Sequence, residues 1–142
     1  MKAKKINILL VDDNKKFLKS VAERALLKGF IVFTATSGQQ ALEVAQKQQL
    51  QVAVVDQRMP DMDGLVVITK LKELLPDIKT ILLTGHGDEK LKETTEALNS
   101  SFFHKSEMGK FWTFLSNIPL GSINILLVDD NKKFLEKLAE RI

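Results

Sequence analysis

The sequence predicts an α/β fold with a doubly wound parallel sheet, and two observations lead to this prediction. Short apolar runs rich in β-branched residues alternate five times with stretches of helical periodicity. The runs are nearly continuous, as is typical of strands buried on both faces. Alternating strands and helices form parallel sheets joined by right-handed crossovers, so we expect helices on both faces of an open sheet.

The predicted strands are four clear apolar runs and a weaker fifth. They are INILLV (Ile6–Val11), FIVFTA (Phe30–Ala35), VAVV (Val52–Val55), KTILLT (Lys79–Thr84) and SFFH (Ser101–His104).

Five helices are predicted between and after these strands. The first places one apolar face along Phe17, Leu18, Val21, Ala22, Ala25 and Leu26. Gly29 follows it, where a C-cap glycine is expected, and Ser37 is an expected N-cap of the second helix. Pro76 ends the third helix. The last two are DEKLKETTEALNS and EMGKFWTFLSNI.

Composition limits the classes of function. The chain has 142 residues, 44% of them apolar, which suits one ordinary domain. It has no cysteine, which excludes disulfides and thiolate metal sites. The net charge of +3 is spread along the chain, which argues against nucleic-acid binding. No apolar run approaches the roughly 20 residues of a membrane helix, and Asp12 and Asp13 interrupt the N-terminal run too early for a signal peptide, so we expect a cytoplasmic protein.

One segment of the chain is repeated. INILLVDDNKKFL runs from Ile6 to Leu18 and again, letter for letter, from Ile123 to Leu135, after the breaker PLGS. The spacing between the copies is a whole domain rather than a solenoid period. A natural tandem of two similar domains and an engineered duplication both account for this repeat.

Polar side chains follow four of the predicted strands. Asp12 and Asp13 follow the first strand, Asp56 the third, Thr84 ends the fourth, and Lys105 follows the fifth. Ligands bind beyond the carboxyl ends of strands in open parallel sheets, so we expect these groups to converge. Three converging carboxylates need a cation, and oxygen ligands favour Mg²⁺. A magnesium ion beside a carboxylate, a lysine and a hydroxyl suits phosphoryl transfer, with the carboxylate as nucleophile.

No glycine-rich phosphate loop follows the first strand, because VDDNKK stands at that position. This argues against a dinucleotide enzyme or a nucleoside triphosphatase.

Four motifs carry a resemblance to a known family. ILLVDDN, VVDQRMPDMDG, ILLTGHG and FFHK resemble the motifs of the response regulator receiver domain, the phosphoacceptor of two-component signalling. The match covers residues 5 to about 118. It implies a flavodoxin-like five-stranded sheet of order 2-1-3-4-5. The segment from Ile123 resembles the first strand and helix of a second receiver.

The resemblance implies a role for each acidic residue. Asp56 is the expected phosphoacceptor, modified by a histidine kinase or a phosphotransfer protein in a Mg²⁺-dependent reaction. Asp13 ligates the metal directly, Asp12 does so largely through water, and the backbone carbonyl of Arg58 is a further ligand.

The resemblance also implies roles for the groups around the phosphoryl site. Lys105 pairs with the phosphoryl group and with Asp56. Thr84 moves to hydrogen-bond a phosphoryl oxygen, and Phe102 is the switch aromatic, although a plain core position also explains this ring. Pro60 and Gly64 shape the loop after Asp56.

The chain departs from the family pattern near the fifth strand. Ser106 stands where a proline usually follows the lysine, and LNSS stands where a Gly-Ala pair usually precedes the strand. The fifth helix is unusually aromatic, with Phe111, Trp112 and Phe114 in FWTFLSNI. These three rings cannot all face inward on one helix, so an exposed one would mark a contact surface.

The sequence therefore predicts a receiver domain over residues 1–120. Residues 121–142 are predicted to be a linker with the first strand and helix of an incomplete second receiver. Such a domain catalyses only its own phosphorylation and dephosphorylation and is not otherwise an enzyme. Homodimers through the helix 4 to helix 5 face or through the C-terminal tail are both open. The alternative function is a vestigial receiver that acts as an interaction module without phosphorylation.

Overall fold

A computed structural model describes residues 5–118 of the chain. The described strands are β1 (Asn7–Val11), β2 (Ile31–Ala35), β3 (Val52–Val55), β4 (Lys79–Thr84) and β5 (Ser101–His104). The helices are α1 (Lys15–Leu27), α2 (Gly38–Lys47), α3 (Gly64–Leu74), α4 (Glu89–Ala97) and α5 (Met108–Ser116), with a 3₁₀ turn at Lys105–Glu107. The prediction that residues 121–142 begin a second receiver lies outside the described residues.

The strands form one parallel sheet in the order β2-β1-β3-β4-β5, which confirms the predicted flavodoxin-like topology. The strand order reverses between β1 and β3, so their carboxyl ends lie side by side at the topological switch point. Ligands of such sheets bind at this point.

Alternate side chains of the central strands point to opposite faces of the sheet. Leu9 and Val55 belong to a buried cluster with residues of α2 and α3. Leu10 and Val54 line a small cavity with Leu18 of α1. Helices therefore cover both faces, and residues Ile8 to Val11 of β1 are at most 2% exposed.

Two burial predictions were wrong. The strand β2 was expected to be buried on both faces, but it lies at the sheet edge, and Ile31 is 40% exposed. Leu26 was placed on the apolar face of α1, but its side chain is 58% exposed. Leu26 lies in the last turn of α1. Helical periodicity identifies the face of a helix, but it does not show whether the sheet extends far enough to cover the last turn.

The predicted helix ends are confirmed. The Ser37 hydroxyl accepts a hydrogen bond from the Gln40 N–H at the start of α2, and Gly29 has a φ of +99° after α1. The helix α3 ends before Pro76.

The helix α5 is described by itself. Phe111 and Trp112 are buried and meet edge to face with ring centroids 4.9 Å apart, while Phe114 is half-buried. Among the described residues, no helix has the length and apolar character needed to cross a membrane.

Candidate functional site

An acidic cluster lies at the carboxyl ends of β1 and β3. The main chain holds it in place, because the Asp12 N–H donates to the Ala35 carbonyl at 3.1 Å and the Asp56 N–H to the Val11 carbonyl at 2.9 Å. Carboxylate oxygens of Asp12, Asp13 and Asp56 lie within 4.8 Å of one another. Asp12 and Asp56 are 4% and 7% exposed, whereas Asp13 is open to solvent. The predicted convergence of the three acids is confirmed.

Lys105 reaches this cluster from the end of β5. Its Nζ lies 2.7 Å from Asp12 Oδ2 and 3.6 Å from Asp56 Oδ1. The sequence predicted a pair with Asp56, and the structure adds a shorter ion pair with Asp12. The lysine side chain is partly buried, with 22% of its surface exposed.

Burial raises the pKa of the Asp56 carboxyl above its ordinary value. The negative charge of Asp12 raises this pKa further, whereas the Lys105 ammonium and the Gln57 N–H oppose the shift. The ionised form of Asp56 is therefore held at a cost, and a bound cation would reduce that cost.

The donor set of the cluster fits a hard cation. Three carboxylates supply only oxygen atoms, and neither histidine lies among them. Mg²⁺ takes oxygen ligands and keeps several waters, which suits a cluster with one solvent-exposed member, Asp13. Asp12, Asp13 and Asp56 are the residues that would hold it.

Thr84 and Phe102 meet the loop between β4 and α4. The Thr84 hydroxyl is fully buried, donates to the His86 carbonyl and accepts from the His86 N–H, both at 3.2 Å. The half-buried Phe102 ring packs against Gly87, where an added Cβ would lie 2.6 Å from the ring. Both predicted switch residues therefore contact the same loop.

Residues 8–108 match the family model described as the response regulator receiver domain. The chain belongs to this family. The domain is a receiver domain of the two-component response regulator type. The alternative function, a vestigial receiver that acts as an interaction module without phosphorylation, is not favoured.

Curated relatives agree with this assignment. The photosynthetic apparatus regulatory protein RegA of Cereibacter sphaeroides is 41% identical over 81 residues, which are 57% of this chain and 44% of that protein. The transcriptional regulatory protein GlrR of Escherichia coli is 34% identical over 87 residues, which are 61% of this chain and 20% of that protein. This chain thus spans less than half the length of either relative.

A solved CheY-like receiver domain from Methanospirillum hungatei has the same fold. Its TM-score is 0.73 at 20% identity, over 85% of this chain and all of that one.

The receiver's loop after β3 folds closely over Asp56. The Gly64 N–H donates to the Gln57 carbonyl at 2.9 Å, and a side chain at Gly64 would collide with the main-chain carbonyl of Asp56. This close approach explains the glycine, which the sequence predicted to shape the loop. Arg58 lies in the same loop with its side chain exposed.

A contact between this loop and the start of α2 was not predicted from the sequence. Asp61 accepts hydrogen bonds from the N–H groups of Gly38 at 3.0 Å and Gln39 at 2.9 Å, at the N-terminus of α2. These two bonds hold the pKa of the Asp61 carboxyl below its ordinary value. They tie the loop to α2. The only sequence signal is an acidic residue in a loop near a helix start, which is too common to be diagnostic.

The departures from the family pattern are accommodated by polar side chains. Asn99 has a φ of +59°, a left-handed conformation that asparagine tolerates better than most residues. The buried Ser100 hydroxyl pairs with that of Thr80 at 2.5 Å. The Ser106 N–H donates to the His104 Nδ1 at 3.2 Å, so this pair shapes the turn that follows β5.

Proposed function

We propose that Asp56 accepts a phosphoryl group in a Mg²⁺-dependent reaction, from a histidine kinase or a phosphotransfer protein. The observation that carries this proposal is a nearly buried carboxylate that lies 3.6 Å from an ammonium and within 4.8 Å of two further carboxylates. Such a group is costly in the free protein, and a bound cation would lower that cost.

The residues divide the reaction between them. An oxygen of the Asp56 carboxylate attacks phosphorus, the new P–O bond forms, and the bond to the donor breaks with its electron pair leaving on the donor. Lys105 neutralises negative charge on the transferred group, and its position between Asp12 and Asp56 supports this role. Bound Mg²⁺ would neutralise charge on the equatorial oxygens, held by the acidic cluster and the backbone carbonyl of Arg58.

The switch is proposed to lie between β4 and α4. Thr84 would exchange its His86 contacts for a phosphoryl oxygen, and Phe102 would follow as the loop closes. This movement would change the helix 4 to helix 5 face, through which we propose that the domain binds its target or a second copy. The reaction modifies only the protein itself, so the domain is a switch without a separate substrate, and we place it in the cytoplasm.

We retain the domain boundaries as proposals. The proposed receiver spans residues 1–120, and residues 121–142 are proposed to be a linker followed by the sequence of the first strand and first helix of an incomplete second receiver. The repeat of Ile6–Leu18 at Ile123–Leu135 supports this division. A homodimer through that segment remains an alternative to one through the helix 4 to helix 5 face.

The proposal is tested by phosphorylation with acetyl phosphate, a small phosphoryl donor. Intact mass spectrometry should detect one phosphoryl group on the wild-type chain with Mg²⁺ and none with a chelator. Asp56→Asn should take up none. Asp63→Asn is the matched control, because this exposed carboxylate in the same loop makes no side-chain capping bond, and it should react like wild type. Full modification of Asp56→Asn, or an unreactive wild type, would refute the assignment.

A further inference from the structure

We propose that Phe17 is a positioning residue that holds the Lys105 ammonium at the phosphoryl site through a cation–π contact. The Lys105 Nζ lies 4.3 Å from the centroid of the Phe17 ring. No motif of the sequence assigns this ring a role, and its periodicity placed it among the core residues of α1. The inference rests on the proposed phosphorylation of Asp56 and concerns what aims the lysine there.

The start of α1 fixes the ring relative to the acidic cluster. Asn14 is the N-cap of α1, and its Oδ1 accepts a hydrogen bond from the Phe17 N–H at 3.1 Å. The Asn14 N–H in turn donates to Asp12 Oδ1 at 2.9 Å. One cap residue therefore sets the positions of both Asp12 and Phe17. The ring also lines a small cavity together with Asp12 and Asp56.

The Phe17 ring attracts the Lys105 ammonium by an interaction that does not depend on the charges of the carboxylates. Asp12 lies closer to Nζ than Asp56 does, so the carboxylates alone draw the lysine toward Asp12. A cation bound by the cluster weakens the pull of both carboxylates. The quadrupole of an aromatic ring persists under that condition, and it acts more strongly on a shielded ammonium than on a solvated one. Phe17 thus keeps Lys105 near the site when the carboxylates are otherwise engaged.

A purely apolar role for Phe17 makes a different prediction. If the ring only fills space, then any side chain of similar size and hydrophobicity serves as well. If the π-face matters, then activity follows electron density in the ring at nearly constant volume. Fluorinated phenylalanines separate these cases, because each fluorine withdraws electron density from the face while changing the volume little.

The experiment measures phosphorylation by acetyl phosphate at saturating Mg²⁺ in the full chain. Phe17→Leu should lower the maximal rate constant about tenfold, and Phe17→Trp should restore most of it. Site-specific replacement by mono-, tri- and pentafluorophenylalanine should lower the rate stepwise. The half-saturating donor concentration should change little, because the contact acts on the lysine rather than on the donor. Phe33, a partly buried ring on β2 away from the site, is the control position, and its fluorination should have no effect.

A second readout does not depend on activity. The Lys105 methylene protons next to Nζ should show an upfield ring-current shift by NMR, and Phe17→Leu should abolish it. If the wild-type chain shows this shift but takes up no phosphoryl group, the proposed function fails while the contact stands. If pentafluorophenylalanine at position 17 reacts as fast as phenylalanine, or Phe17→Trp behaves like Phe17→Leu, the positioning role is refuted.

Discussion

Replacing Asp56 by asparagine should stabilise the metal-free protein. Asparagine has nearly the same shape as aspartate and carries no charge. At 4.8 Å, the largest separation in the cluster, two carboxylates repel by about 3 kcal/mol with an effective dielectric constant of about 20. At 3.6 Å, Lys105 attracts Asp56 by about 5 kcal/mol under the same assumption. Asp12 and Asp13 both repel Asp56, so the two repulsions together slightly exceed the attraction by Lys105. The cost of burial acts in the same direction and favours asparagine.

The Asp56 side chain is only 8% exposed. Shielding a carboxylate from water costs several kcal/mol, whereas an imperfectly bonded amide costs about 1–3 kcal/mol. We therefore expect Asp56→Asn to raise the free energy of unfolding by about 2 kcal/mol. With a denaturant slope of about 2 kcal/mol per molar, the urea midpoint should rise by about 1 M.

The difference in the free energy of unfolding between Asp56→Asn and the wild type should depend on pH and on Mg²⁺. The pKa of Asp56 is raised in the folded state above the ordinary 3.8, so the wild type loses stability as the pH rises through the folded-state pKa. The advantage of Asp56→Asn should be full at pH 8 and should vanish as the pH falls toward 3.8. Mg²⁺ at 100 times its dissociation constant adds about 2.7 kcal/mol to a protein that binds it, so the wild type should then overtake the variant.

The assay is urea unfolding followed by circular dichroism, with a chelator or with Mg²⁺. Asp63→Asn should stay within about 0.5 kcal/mol of wild type in both conditions. A lower midpoint for Asp56→Asn than for wild type at pH 8 with chelator would show that the ion pair with Lys105 outweighs burial, and the reasoning would be wrong.

Three further predictions test other parts of the account. Lys105→Met leaves the nearly buried carboxylates of Asp12 and Asp56 without their ammonium partner. Without Mg²⁺ it should therefore lower the free energy of unfolding by about 3 kcal/mol. An unchanged urea midpoint would contradict this expectation. Gly64→Ala should destabilise the protein by about 3 kcal/mol, because the added Cβ meets the main-chain carbonyl of Asp56. Gly109→Ala, on an open helix surface, should instead gain up to about 1 kcal/mol, and equal effects of the two variants in urea unfolding would count against the close approach. Arg58→Gln combined with His86→Glu should shorten the phosphoryl lifetime about tenfold. These exposed positions lie two residues after Asp56 and two after Thr84, and neither native residue is a carboxylate that could orient an attacking water. The lifetime is measured by loss of the phosphoryl mass after removal of donor, and an unchanged value would refute this explanation.

The sheet was predictable because its central strands are chemically simple. The runs that became β1, β3 and β4 are continuous and apolar, and their buried positions leave few alternatives. The edge strand β2 has a similar composition, so its exposure depends on strand order, which composition does not encode. The convergence of Asp12, Asp56 and Lys105 followed from one rule, that strand ends of a parallel sheet share an edge.

The contacts that were missed are those between side chains distant in sequence. The shorter Lys105–Asp12 pair depends on how a long flexible side chain crosses the site. Phe17 was placed in the apolar stripe of α1, but its place in the first helical turn brings it to the lysine instead. Asp61 had no partner in sequence, because its partners are N–H groups of another helix. Such contacts require the three-dimensional arrangement of the loops.

The most direct test of the central claim is a crystal structure of the full chain with Mg²⁺ and beryllofluoride, a phosphoryl mimic. We predict the mimic on an Asp56 carboxylate oxygen, with Lys105 and Thr84 in contact with its fluorines. Mg²⁺ should lie about 2.0–2.1 Å from oxygens of Asp56, Asp13 and the Arg58 main chain. The account would be contradicted if the mimic were bound to another carboxylate. It would also be contradicted if Lys105 kept its ion pair with Asp12 and did not contact the mimic.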